Sequence, residues 1–301
     1  MKLSILIAVD RKSLPYRTKA YKIFHYCSIW QKKALNSQII CVNLLWVIDM
    51  KYYKEIAEKE VFDSEYVQGL TNGKDNADKV IHNYQTMGYI KKVKHNLYAT
   101  ISMENGGLIP TKYKIACAIN GSSFISHHSA FEFYGFYNQV FNTVNVSSLN
   151  RFHPFDFEGT EYQYLQTHSE AQVDLIRGVR VTSIERTIVD SINDVDKVAG
   201  TEELLKCIGL VSYVNEGFIL DYLKYRSSKL LYKKVGYVLS HFKMKLKLSE
   251  GFFETCLLEG GKVIGYFSQV DKNSLVFISK WQIYAYDDLM SFIEKKDNFN
   301  V

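Results

Sequence analysis

Between Tyr53 and Ile101 the apolar residues follow three short helical patterns and then two alternating ones. Tyr53, Ile56 and Ala57 share one helical face, closed by Val61 and Phe62. Asp63 or Ser64 is placed to cap a second helix holding Tyr66, Val67 and Leu70, and Thr71-Asn72-Gly73 reads as the turn after it. A third helix, capped by Asp75 or Asn76, carries Ala77, Val80, Ile81 and Tyr84 at i, i+3, i+4 and i+7 and stops at Gly88. Its other face shows Asn76, Lys79, His82, Asn83 and Thr86. Strands at Ile90–Val93 and Leu97–Ile101 follow, joined through Lys94-His95-Asn96.

Past a glycine-bearing stretch, Glu104 to Pro110, the pattern changes to a mixture of helix and strand. Tyr113 to Ile119 predicts a helix. Ser126 can cap another, with Ala130, Phe131 and Tyr134 on it and Gly135 as its left-handed stop. Val144 and Val146 alternate with Thr143, Asn145 and Ser147, the signature of a half-buried strand. Phe155, Phe157 and Tyr162 to Gln166 predict a hairpin about Glu158-Gly159, and Val179 and Val181 a further strand. Thr182 and Glu185 form a T-x-x-E capping box before a helix with Ile184, Ile188 and Ile192 on one face. Beyond Gly200 the pattern is helical, with starts at Thr201, Asn215 and Ser249, and the tail from Val263 to Ile283 is strand-like. The fold class expected is α+β. A winged helix-turn-helix occupies residues 50–102, a linker 103–111, and a mixed α/β domain with a helical C-terminal part residues 112–301.

In a helix-turn-helix the second helix of the motif enters the major groove, where Asn and Lys side chains read base edges. That expectation falls on Asn76, Lys79, His82 and Asn83. Lys91, Lys92 and Lys94 on the hairpin would meet phosphates. From Lys74 to Tyr98 there are five Lys against two Asp. A lysine-bearing hairpin can equally be a solvated face, and winged helices also dock proteins.

Two blocks resemble the AbiEi family of bacterial antitoxins. They are Ile125-Ser126-His127-His128-Ser129-Ala130, with Gln139-Val140-Phe141 and Val146-Ser147-Ser148, and Val181-Thr182 through Glu185-Arg186-Thr187-Ile188-Val189-Asp190. The resemblance spans roughly residues 50 to 250. It implies a type IV toxin–antitoxin (abortive infection) regulator, whose winged helix binds inverted repeats in its own promoter on double-stranded DNA and represses the operon. The second domain would counter a nucleotidyltransferase-like toxin, without need of a stable complex, and its candidate residues here are His127, His128, Glu185, Arg186 and Asp190. The family's K-R-G-x-Y wing turn is Lys94-His95-Asn96-Leu97-Tyr98 in this chain; Asn tolerates the left-handed turn, while the arginine is lost. The alternatives are a plain operon regulator with an effector-sensing domain, or an atypical kinase acting on the toxin.

Composition narrows this picture. No apolar run approaches the roughly 18 residues of a membrane span, so no membrane partner is expected. The five cysteines are scattered without a C-x-x-C, which predicts buried thiols and a reduced, cytoplasmic setting. Of the formal +5, residues 1–49 hold eight Lys/Arg against two Asp, so the rest of the chain is near neutral and global charge does not argue for nucleic acid. Family members begin near Met50, and residues 1–49 are expected to be translated upstream sequence.

No cofactor and no metal are predicted. His127 and His128 are adjacent on a helix start and point about 100° apart, so they do not serve one ion. Arg186 and Asp190 lie at i, i+4, the spacing of an intrahelical ion pair. Gly260-Gly261-Lys262 lacks the first glycine of a phosphate loop, and Asp156 and Glu158 lack the companion residues of a nuclease. No catalytic residue is assigned.

Overall fold

A computed structural model describes residues 50–197, 199–270 and 272–294. The expectation for residues 1–49 lies outside the described residues. Helix α1 (Tyr53–Lys59) leads to a two-residue strand β1 (Val61–Phe62), then α2 (Ser64–Thr71), α3 (Lys74–Met87) and the hairpin β2 (Ile90–Lys94) and β3 (Leu97–Thr100). Val61 and Phe62, expected to close a helix, instead pair antiparallel with Ala99 and Tyr98, making a three-stranded sheet in the order β1-β3-β2. β-Branched and aromatic side chains favour that extended edge over a further helical turn. Asp63 caps α2 through its side chain, which accepts from the Tyr66 N–H at 2.8 Å. The third helix starts earlier than expected, at Lys74 after Gly73, without a side-chain cap. The Asn76 amide turns back instead to the Thr71 carbonyl at 3.5 Å. Asn96 takes the left-handed conformation the hairpin requires, with φ 55°, and its side chain accepts from the Ser64 N–H at 3.0 Å.

The stretch read as a linker is a hydrogen-bonded turn. Ser102 N–H donates to the Gly107 carbonyl at 2.8 Å and Ile109 N–H to that of Thr100 at 2.9 Å. Val61, Val93, Leu97 and Ala99 join Ile115, Ile125, Val144, Val146 and Val181 in one apolar cluster.

Helix α4 (Lys112–Cys117), strand β4 (Phe124–Ile125), helix α5 (His127–Tyr134) and strands β5 (Thr143–Ser148), β6 (Phe155–Phe157), β7 (Thr160–Gln166), β8 (Val173–Ile176) and β9 (Val179–Thr182) build a mixed sheet. Its strand order is β6-β7-β5-β4-β9-β8. The alternation along β5 was expected to leave one face in water; both faces are buried. Val144 and Val146 enter the apolar cluster, while on the other face hydroxyls of the α5 start meet the Ser147 side chain and the Asn145 backbone N–H. Ser126 Oγ meets Ser147 Oγ at 2.7 Å, and Ser129 Oγ accepts the Asn145 N–H at 2.8 Å. This use of Ser126 explains why it makes no side-chain cap on α5.

Helix α6 (Ile184–Asn193) crosses from the sheet into a helical layer of α7 (Gly200–Leu210), α8 (Glu216–Arg226), α9 (Lys229–Ser240), α10 (Lys243–Leu246) and α11 (Glu250–Gly260). The capping box is displaced by one residue. Ser183 is the cap, its Oγ accepting from the Arg186 N–H at 3.2 Å, while Thr182 Oγ1 bonds Thr187 Oγ1. Helix α7 likewise starts at Gly200 rather than behind a Thr201 cap, whereas Asn215 and Ser249 cap as expected. A small sheet of β10 (Gly265–Tyr266), β12 (Ile283–Ala285) and β11 (Val276–Ile278) and a last helix, α12 (Ser291–Glu294), close the described chain. A Cβ at Gly236 on α9 would overlap the buried Trp281 ring and come within 3.0 Å of Cys256. Gly236→Ala is therefore expected to cost about 1–3 kcal/mol, seen as a lower urea midpoint at constant slope. An unchanged midpoint would mean that Trp281 yields without cost.

Candidate functional site

Two surfaces emerge from these elements. On α3, Ala77, Ile81 and Tyr84 are buried, which turns Asn76, Lys79 and His82 outward; Asn83 is half-buried beside them. The hairpin lysines do not behave alike. Lys92 is exposed. Lys91 pairs with Glu158 at 2.5 Å. Lys94 is half-buried, with its ammonium 5.5 Å and 5.7 Å from the ring centroids of Phe152 and Phe155. Burial lowers its pKa from the usual lysine value. Lys91 and Lys94 thus have intramolecular partners that spacing alone did not suggest.

The second region is buried. His127 and His128 diverge as two adjacent helical residues must. Nδ1 of His127 meets Ser126 Oγ at 2.8 Å, and its Nε2 lies 3.4 Å from Asp194 Oδ2. Burial opposes the Asp194 charge, yet His127 and Lys197 outweigh it and hold the carboxyl below the ordinary range. Nε2 of His128 lies 3.2 Å from Glu203 Oε1, and its ring meets Phe141 edge to face at 4.5 Å. Burial lowers the His128 pKa despite the opposing pull of Glu203, so the neutral ring is favoured.

Glu203 collects donors. Its carboxylate accepts the backbone N–H groups of Asn138 and Gln139 at 3.0 Å each and the Asn138 amide at 3.2 Å. These donors outweigh burial and lower its pKa. Cys207 lies against the same carboxylate, and the ligand atoms of His128, Glu203 and Cys207 fall within 4.8 Å of one another. The trio has metal-ligand chemistry, but the carboxylate is already saturated by N–H donors and burial raises the thiol pKa. The geometry suits an anion tying down the 138–139 loop.

Around α6 the expected ion pair is present and fully buried. Arg186 is 1 % exposed, donates from Nε to Asp190 Oδ2 at 3.0 Å, and lies between the rings of Phe124 and Tyr222 at 5.0 Å and 5.1 Å. Its other nitrogens reach the Ala171 carbonyl and Thr167 Oγ1. Asp190 also accepts from the Tyr222 hydroxyl at 2.9 Å and from Arg226 at 3.1 Å. Glu185 accepts the Asn215 N–H at 2.9 Å, holding α6 to the start of α8. Glu203, Asp194, Tyr222 and Arg226 carry no motif of their own and are found only through what they touch.

Beside His128 lies a cavity of about 180 Å³ lined also by Phe141, Thr143, Asn145, Gln163 and Lys197. Of these, only His128 stands out in the sequence as a candidate site residue.

No family model and no curated protein matches the sequence. Solved structures do match. Rv2827c of Mycobacterium tuberculosis superposes with a TM-score of 0.61 at 14% identity, over 82% of this chain and 93% of that one. The likeness shows a shared fold. That fold is mixed α and β, and no helix among the described residues is long and apolar enough to cross a membrane. Cys207 and Cys256 are buried and Cys117 half-buried, with burial pushing the Cys117 thiol up to about 11.

Proposed function

We propose that the chain is a DNA-binding antitoxin of the AbiEi type. Helices α1 to α3 and the hairpin act as a winged helix-turn-helix that represses its own operon, and the α/β part counters a nucleotidyltransferase-like toxin. The observation that carries the first half is the outward row Asn76, Lys79 and His82 on α3, backed by a buried apolar face. The helix is joined to α2 through left-handed Asn72 and through Gly73. A helix presented in this way can enter a major groove, with an exposed lysine at the hairpin left for the backbone. The second half is supported by the resemblance residues alone, which gather at α5, β5 and α6.

The lysines supply the test. Lys92→Ala is expected to weaken binding to all duplexes alike and to reduce the salt slope by about 1. Lys94→Ala should leave that slope near wild type, because its ammonium is already committed to Phe152 and Phe155. Fluorescence anisotropy against the chain's own upstream region, over a series of salt concentrations, measures both. Equal slopes for wild type and Lys92→Ala would remove the hairpin from the interface.

A second reading, an operon regulator with an effector-sensing domain, is favoured by one observation: the polar cavity between β5, β7 and α5.

A further inference from the structure

The cavity floor is set by strand register. β5 and β7 run parallel with Asn145 directly opposite Gln163 and Thr143 opposite Glu161, so four polar side chains share one face of two adjacent strands. Val144 and Val146 occupy the other face. Glu161 is occupied: Thr143 Oγ1 donates to it at 3.3 Å and the Gln163 amide at 3.2 Å. That leaves the Gln163 side-chain carbonyl with an unused lone pair. The wall is aromatic, the paired rings of His128 and Phe141.

Asn145 is the anomaly. It is only 5 % exposed, and its backbone groups are taken by Ser129 Oγ and by the Ser126 N–H. Its side-chain amide has no hydrogen-bond partner among the described residues, although it lines the cavity. The amide opens into the cavity without a partner in the chain, so whatever occupies the cavity must satisfy its donor and its acceptor. A side chain with one donor edge and one acceptor edge, beside a second amide carbonyl and an aromatic wall, is complementary to a planar ring bearing the same pair of functions.

Charge restricts the ligand further. The Lys197 ammonium is held by Asp194 Oδ1 at 2.7 Å, and Glu161 and Glu203 add negative charge nearby, so the pocket has no surplus positive charge for a phosphate. At about 180 Å³ it is smaller than the roughly 300–1,000 Å³ of sites for drug-sized ligands.

We infer that this cavity binds a neutral nucleobase, free or as a nucleoside, through Asn145 and Gln163 with the base packed against Phe141. The inference does not require DNA binding, and its test uses no DNA.

Adenosine, guanosine, cytidine and uridine are titrated separately into the full chain, with binding read by ligand-observed NMR and by calorimetry. At least one is expected to bind saturably, and Asn145→Leu is expected to weaken it roughly 5- to 150-fold, the span of one bidentate amide–base pair. Circular dichroism checks that the variant folds. Should Asn145→Leu fail to fold, Gln163→Met, at a half-buried position, is read instead and must also weaken binding. Absence of saturable binding by all four, or the same affinity in a folded variant, overturns the assignment.

Discussion

Asp190→Ala is expected to destabilise the protein by about 3–5 kcal/mol, the cost of leaving a buried charge without its partner. Asp190 neutralises two guanidinium groups, Arg186 and Arg226, and accepts the buried hydroxyl of Tyr222. Arg186 is 1 % exposed and cannot turn to water without breaking its packing between Phe124 and Tyr222. Its contacts to the Ala171 carbonyl and Thr167 hydroxyl orient the guanidinium but bring no negative charge. Burial acts against the Arg226 charge as well, and the Asp190 carboxylate more than reverses it, raising the Arg226 pKa. Urea denaturation should show a lower midpoint at constant slope. Replacing both residues of the inner pair with apolar ones, Arg186→Met with Asp190→Leu, should lose less than Asp190→Ala alone, because the fully buried charge goes with its partner and only the part-exposed Arg226 is left unpaired. A single variant within about 1 kcal/mol of wild type would mean that water reaches Arg186 in the folded state.

The second large effect concerns DNA. If α3 occupies the groove, Asn83→Ala should cost about 1–3 kcal/mol on the chain's own upstream sequence and little on random duplex. Lys79→Ala should lower both and should shift the salt dependence. Asn83 carries a donor and an acceptor that can discriminate bases, whereas the exposed Lys79 carries a charge that acts on any duplex. Equal loss on both duplexes for Asn83→Ala would contradict a base-reading role for that residue and leave α3 as a general anchor.

Part of this molecule is legible in its sequence. Asn215, Ser249 and Asp63 were legible as caps, and Gly88, Gly135 and Asn96 as left-handed stops, because each acts on backbone groups within a turn of itself. The misplaced caps show the limit of the same logic. Thr182 and Ser183 are both competent, and the choice fell to Ser183 because Thr182 is the last residue of β9, with its hydroxyl engaged by Thr187. The strand at Val61–Phe62 was missed since two residues carry no period; it exists because β3 offers an edge.

Sequence alone determined most of the helical and extended segments, the outward polar row of α3 and the i, i+4 partnership of Arg186 with Asp190. All of these depend on residues no more than a few positions apart, where backbone geometry dictates the neighbour. Tertiary structure decided the rest: that the Arg186 pair is buried and shared with Tyr222 and Arg226, that Glu203 answers His128, that Lys94 lies over two phenylalanine rings, and that Asn145 faces a cavity. These partners come from distant segments brought together by burial of apolar surface, a force without direction that leaves polar groups to find whichever neighbours the packing supplies.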